Sequence, residues 1–347
     1  MKSKPVSHTR DTEDDIFARY ALGPGQGLVF AYELELDGRP HELTVPAAEE
    51  ALASGRGLVW LHLDLTTTPA KRWIETRSWL PEDAREMLLT REDHTQYRLL
   101  ENGLTGILKD FHRELEAVDW RVGQLHFYVD RNRLITARRH PLAALDHARQ
   151  SLLRGAAEAE SGIALLGLVI EALADVLDDA SDKLGREIER VEDHMEREEA
   201  QHLRVAVGEA RKRAILFHRQ IHSERRVMAR LSAKPPAWFA ESDTIRLRDV
   251  IDHLGATADA LDTIEVRAKL LQDELAARLA EAANRNLFFL SVISAILLPM
   301  TLISGIFGMN LGGIPGMNSP MGFWAGTGLV FAVGFVTLIL MRIGKML

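Results

Sequence analysis

The rhythm of apolar positions changes twice along the chain. Through residues 26–160 apolar residues gather in short β-type runs at 28–36, 57–64, 104–111, 124–129 and 133–137, with helical stretches such as 81–90 and 141–153 between them. This alternation predicts a mixed α+β domain. A polar arm over residues 1–25, ending in Gly23-Pro24-Gly25, precedes it. From residue 161 glycine and proline become sparse, and apolar positions recur every three or four residues as far as 231, which predicts two long helices over 161–235. The first is acidic, with twelve Asp or Glu against four Lys or Arg between Glu171 and Glu199. The second reverses the balance, with nine Lys or Arg against two Asp or Glu between Arg204 and Lys234. Opposite charge and a short connection predict an antiparallel hairpin.

Lys234-Pro235-Pro236 ends the second helix, because proline lacks a backbone donor and disfavours helix in the residue before it. A third helix is expected over 241–310, starting near Ser242 or Asp243 and meeting no proline before Pro299. Its aqueous part, 244–284, would alone be a stalk of roughly 60 Å. The same helix then enters a stretch, 287–341, in which 55 consecutive residues include no Asp, Glu, Lys, Arg or His. Two spans fit inside it, at about 287–307 and at 323–341, each long enough to cross a bilayer as a helix. The segment between them, 308–322, is rich in Gly, Asn and Pro and reads as a loop. Arg278 and Arg285 precede the spans, and Arg342 and Lys345 lie in the tail 342–347, while the loop carries no basic residue. By the positive-inside rule both termini are expected in the cytoplasm of a multi-pass inner (plasma) membrane protein. The basic residues near Met1 are followed by no apolar core, so neither a signal peptide nor an earlier span is expected there.

Composition alone conceals the spans: 27% of residues are charged and 46% hydrophobic, as in a soluble protein. The net charge of −8 comes with basic residues scattered among acidic ones, which excludes a nucleic-acid-binding stripe. There is no cysteine, so any metal must be held by oxygen or imidazole. No phosphate-binding loop or nucleophile motif is present, so neither catalysis nor a bound cofactor is expected. Two helices are too few to enclose a water-filled path, so a pore requires several copies around an axis. The first span offers the lining: Asn284, Leu287, Ser291, Ser294, Leu298, Thr301, Gly305 and Gly308 fall close to one stripe of the helix. Small and hydroxyl residues of this kind also serve simply to pack helices together.

The first span ends in Gly305-Ile306-Phe307-Gly308-Met309-Asn310. A Gly-Met-Asn tripeptide at the end of the penultimate span of a two-span C-terminus resembles the signature of the CorA metal-ion transporters. The run Pro299-Met300-Thr301-Leu302-Ile303-Ser304-Gly305-Ile306 is similar to another stretch of that family, as are Arg248-Asp249-Val250-Ile251-Asp252-His253 and the segments 59–65 and 132–138. The resemblance implies a funnel-shaped homopentamer, a central pore lined by the first span, and a ring of Asn310 at its periplasmic mouth. Five neutral amide oxygens can hydrogen-bond the waters of a divalent ion without stripping them, and weak binding permits release. Gly308 keeps the constriction open, and Met309 reads as packing.

The loop after the motif, Leu311-Gly312-Gly313-Ile314-Pro315-Gly316, is neutral and resembles the zinc-transporting, ZntB-type members of the family rather than the magnesium-type members with acidic loops. Zn²⁺ is therefore the expected cargo, with Mg²⁺, Co²⁺ or Ni²⁺ as the alternative in the same architecture. Protons are a further partner if uptake is coupled to their gradient, although the spans offer no side chain to take one up. Asp249, by resemblance, marks a regulatory metal site. His218 and His222, four apart on the basic helix, have a chelating spacing, and Asp175, Asp178, Asp179 and Asp182 form an acidic helix face. A membrane-anchored sensor that does not conduct is the reading from another class; its mark would be a stable monomer or dimer.

Overall fold

The computed structural model describes residues 26–35, 39–112, 121–195, 200–309, 319 and 321–344. The elements run β1 (Leu28–Leu34), β2 (Pro40–Glu42), α1 (Val45–Ser54), β3 (Leu58–Asp64), α2 (Thr68–Thr76), α3 (Glu82–Leu89), β4 (Gln96–Leu99), β5 (Leu104–Phe111), β6 (Val122–Val129), β7 (Arg133–Arg138) and α4 (Ala143–Leu153). Four long helices follow: α5 (Gly162–His194), α6 (Ala200–Ala233), α7 (Glu241–Phe307) and α8 (Gly322–Ile343).

The seven strands form one sheet in the order β2-β1-β3-β7-β6-β5-β4. Every neighbouring pair is antiparallel except β3 with β7, where Leu61 lies opposite Ile135. β3 is central and nearly all apolar because both of its faces are covered. Val59, Leu61 and Leu63 pack on one face with Leu52 of α1, Trp73 and Ile74 of α2, and Leu88 of α3. Trp60 and His62 point the opposite way, as the two-residue period of a strand demands, and both bond Thr136 of β7 there, at 3.0 and 2.9 Å. α5 begins on that face, which is why its first three turns are buried on all sides before it narrows to a single apolar stripe.

Two strands and two helices had no apolar run to announce them. β2 and β4 are short, partly exposed edge strands, and β2 starts at a proline, which edges tolerate. α1 and α2 each start behind a threonine in extended conformation with proline in the first turn. β1 ends at Leu34, earlier than its apolar run suggested, and residues 36–38 lie outside the described set.

The chain divides into two compact units, Met1–His194 with Ala206–Leu270, and Met195–Val205 with Leu271–Leu347. Within the first, α5, α6 and the start of α7 form a three-helix layer. Arg213 of α6 reaches Glu187 of α5 in a close ion pair, and with only five residues between the helices the two run antiparallel. α7 runs parallel to α5, as its contacts advance together along both: Asp243 with Ser161, His253 with Asp175, Arg267 with Glu192. Asp243 also accepts the Ala240 N–H at 2.8 Å and so fixes the start of α7.

Within the second unit α7 continues without a break to Phe307, 67 residues in all. Such a helix is about 100 Å long. α8 packs against it antiparallel, through glycines: a Cβ at Gly334 would lie 2.7 Å from Met300 Sδ, and one at Gly326 would lie 3.7 Å from the Phe307 ring. Among the described residues, α8 and the C-terminal part of α7 are the two helices long and apolar enough to cross a membrane. Their apolar side chains are largely uncovered, Leu298 at 71% and Trp324 at 71%, so they require lipid or other subunits.

Candidate permeation path and metal sites

Two faces of α7 separate cleanly in the membrane-type segment. Val292, Ala295, Ile296, Pro299, Met300 and Ile303 are half-buried and form the side toward α8, continued by Phe307 beside Gly326. Asn284, Leu287, Ser291, Ser294, Leu298, Thr301, Gly305 and Gly308 are exposed and lie on the other side, roughly 160° around the helix. The stripe read from the sequence thus lies within the wider arc that the second span leaves open, which also holds Ile293, Leu297 and Leu302. From Asn284 to Gly308 it runs along the helix for about 36 Å.

Two of the three hydroxyls on this stripe are engaged with their own helix. Ser291 Oγ donates to the Leu287 carbonyl at 2.8 Å, and Thr301 Oγ1 donates to the Leu298 carbonyl at 2.9 Å. With the proton committed, each oxygen retains its acceptor capacity toward the outside. That orientation suits the waters of a hydrated cation, which are donors. Leu287 and Leu298 interleave apolar side chains with these acceptors, and Gly305 adds no side chain.

At the end of the helix the Gly308 N–H bonds the Ser304 carbonyl at 2.9 Å and the Met309 N–H bonds that of Ile306 at 3.3 Å, so the last turn tightens before the loop. Met309 is half exposed, 48%, and is not packed in the core of the unit. Asn310 and the loop residues 311–318 lie outside the described residues.

The metal-site candidates outside the membrane-type segment do not converge. Asp249 is exposed on α7 and forms no hydrogen bond or ion pair among the described residues. Asp178, Asp179 and Asp182 are exposed, Asp182 pairing with Arg186 at 3.8 Å, while Asp175 sits 4.0 Å from His253 Nε2. His218 and His222 bring their Nε2 atoms to 2.9 Å in a hydrogen bond, with the rings nearly perpendicular. Burial, His218 and the cations Arg225 and Arg226 all press the His222 pKa downward. No third ligand joins the pair: among the described residues no group of three His, Cys, Asp or Glu could hold a metal ion.

Two buried carboxyls escaped the sequence reading. Glu224 of α6 is fully buried against the sheet, where its Oε1 accepts from Thr95 Oγ1 at 2.8 Å, the Lys109 N–H at 2.9 Å and Gln220 Nε2 at 3.0 Å. Its Oε2 is buried without a partner among the described residues. Burial pushes its pKa up to about 8, against the lowering pull of those donors. Three donors on one oxygen and none on the other is the pattern of a protonated acid. Asp110 on β5 accepts the N–H groups of Ala144 and Leu145 at 3.0 and 3.1 Å, capping α4 from outside, and burial raises it to about 6. On a basic helix Glu224 reads as a surface partner, and only the fold turns it inward.

The family profile described as CorA-like Mg2+ transporter protein matches residues 55–345. The zinc transport protein ZntB of Pectobacterium carotovorum is 29% identical over 298 residues, spanning 86% of this chain and 89% of that protein. ZntB of Yersinia pseudotuberculosis is 27% identical over 315 residues, 90% of this chain and 92% of its own. Among solved structures, full-length CmaX superposes with a TM-score of 0.73 at 24% identity, over 92% of this chain and 98% of that one. The CorA magnesium transporter of Methanocaldococcus jannaschii gives the same TM-score and coverage at 16% identity.

Proposed function

The chain belongs to the family of CorA-like Mg2+ transporter proteins, and from that premise we propose that it carries divalent cations, Zn²⁺ foremost, through a homopentameric pore in the inner membrane. Both termini are placed in the cytoplasm, following the basic residues that flank the spans. The observation that carries the reading is the exposed stripe of α7, which faces away from α8 and alternates oxygen acceptors with apolar side chains. One copy leaves that stripe uncovered, and five copies around an axis would enclose it.

In the proposed path hydrated Zn²⁺ gathers at the ring of Asn310, flanked by Gly308 and Met309. It then passes Gly305 and Thr301, crosses an apolar narrowing near Leu298 and Leu287, with Ser294 and Ser291 between them, and leaves past Asn284. None of these side chains is a Cys, His or carboxylate, so the ion keeps at least part of its water shell, and discrimination among divalent ions is modest. Zinc as cargo rests on the neutral loop 311–316 and on the relatives named zinc transport proteins. No residue from 287 to 341 can take up a proton, so proton coupling requires that the proton move with the ion or act on cytoplasmic groups.

A second reading, transport of Mg²⁺, Co²⁺ or Ni²⁺, is favoured by the all-oxygen chemistry of the same stripe, and competition between ions separates the two. The test is indicator-reported Zn²⁺ flux into proteoliposomes, with and without an imposed pH gradient, beside Asn310→Ala. Flux lost in the variant supports the pore, and faster flux with inward protons supports coupling. Zinc flux that is absent, or indifferent to Asn310, overturns the zinc reading.

A further inference from the structure

Parallel strands leave a crevice at their carboxyl ends, where the chain departs toward different elements, and open α/β sheets take their ligands there. In this sheet β3 and β7 are the parallel pair. At their carboxyl ends Leu65 and Thr66 after β3, Lys71 of α2, Arg91 beyond α3, Gln124 of β6 and Arg139 after β7 line an open cleft of about 350 Å³. Three of the six are cations and none is a carboxylate.

Arg139 is held in place rather than tethered loosely. Its Nη2 donates to the carbonyls of Leu89 and Thr90 at 3.2 and 3.0 Å, and its Nη1 donates to Nε2 of His126 at 3.0 Å. His126 in turn donates from Nδ1 to the Met87 carbonyl at 3.0 Å. Burial, reinforced by Arg139, holds that imidazole neutral, its pKa pushed down to about 4. Half-buried Arg139 also feels Arg91, and desolvation and that neighbour both work against its charge. Among the described residues neither Lys71, Arg91 nor Arg139 has an ion-pair partner. Asp93, which Gln124 reaches at 3.0 Å, is engaged by Lys109 at 3.1 Å.

Uncompensated cations gathered around a concave site repel one another, and a multivalent anion relieves that cost. Guanidinium forks match tetrahedral oxyanions two bonds at a time, while a lysine adds a point charge. The cleft also exceeds a single ion and falls within the range of small-molecule pockets. We propose that this cleft is a binding site for a soluble phosphate-bearing small molecule. The cleft shares no residue with the proposed permeation path, and the proposal does not depend on which cation is carried.

The test is calorimetric titration of the full-length chain, in phosphatidylcholine nanodiscs at fixed ionic strength in chloride buffer, with inorganic phosphate and with ADP. The comparison is Lys71→Gln/Arg91→Gln, whose side chains hold no ion pair, with its fold checked by circular dichroism. Arg91→Lys, which keeps the charge and removes a guanidinium fork engaged by no hydrogen bond among the described residues, is the second variant. Saturable binding that weakens about tenfold or more in the double variant, and also weakens in Arg91→Lys, is the expected result. Tighter binding of ADP than of phosphate assigns a phosphorylated organic molecule, and the reverse assigns inorganic phosphate. Absence of saturable binding by both probes, or equal binding by wild type and the double variant, overturns the proposal.

Discussion

Replacing Glu224 by glutamine tests whether the hairpin helix α6 meets the sheet through a neutral acid. Glutamine keeps a carbonyl oxygen for Thr95, Lys109 N–H and Gln220, and puts an amide where the partnerless Oε2 stands. The carboxyl titrates near pH 8 in the folded chain against an ordinary 4.5, raised chiefly by burial. Below pH 4.5 it is neutral folded and unfolded, and stability does not depend on it. Between 4.5 and 8 the unfolded chain releases the proton and the folded chain retains it, so stability falls as pH rises. Above 8 both are ionised and the full penalty remains. An upper bound on that penalty is about 5 kcal/mol, and relaxation with water entry leaves roughly 2–4 kcal/mol. For a unit of this size that corresponds to roughly 5–10 °C in melting temperature.

The assay is tryptophan-fluorescence melting of wild type and Glu224→Gln in detergent from pH 5.5 to 9, with fully buried Trp60 inside the sheet reporting the transition. Taking the difference between the two proteins cancels the other titrating groups. The variant is expected to be slightly ahead of wild type at pH 5.5, to gain progressively up to about pH 8, and to level off toward pH 9. A difference that stays flat across this range, or a variant weaker than wild type at pH 9, refutes the neutral-acid account.

Asp110→Ala strips the cap from two N–H groups in the first turn of α4, at an expected cost of about 2–3 kcal/mol in denaturant titration; Asp110→Asn, which keeps an acceptor, loses less. Gly334→Ile places a branched side chain against Met300, whose Sδ already lies 2.7 Å from a Cβ there, and is expected to lower the recovery of assembled protein by size-exclusion chromatography. Met300→Ala in the same chain restores it if the clash is the cause. Thr301→Val keeps the shape and removes the acceptor, so Zn²⁺ flux is expected to fall several-fold with assembly unchanged, while Thr301→Ser retains flux.

What the sequence makes legible here is what repeats. The central strands show as short apolar runs, and the long helices and the stripe of α7 rest on a period of about 3.6; both signals survive without knowledge of contacts. β2 and β4 carry too few apolar residues to show a period, although Thr44 with Pro46 and Thr67 with Pro69 were available as start signals for α1 and α2. Glu224 was hidden for a different reason: its partners Thr95 and Lys109 lie 129 and 115 residues away, and no local pattern turns a helical glutamate inward. The cation cleft likewise joins Lys71, Arg91 and Arg139 only through the parallel pairing of β3 with β7. Asp249, singled out by resemblance, and the pair His218/His222, singled out by spacing, gather no group of three ligands among the described residues of one chain.

These observations constrain where any pH sensitivity of transport can reside. With no titratable residue from 287 to 341, the proposed path itself is blind to pH between the protonation limits of its amides and hydroxyls. A response near neutrality must then come from the proton travelling with the hydrated ion or from a group outside the spans that titrates in that range. Glu224, at about 8, is such a group, and it joins α6 to β5 and to Thr95 just before β4. The two origins separate in one comparison. Flux whose pH midpoint moves in Glu224→Gln places the response in the sheet-bearing unit; a midpoint and a gradient dependence that both persist place the proton with the ion.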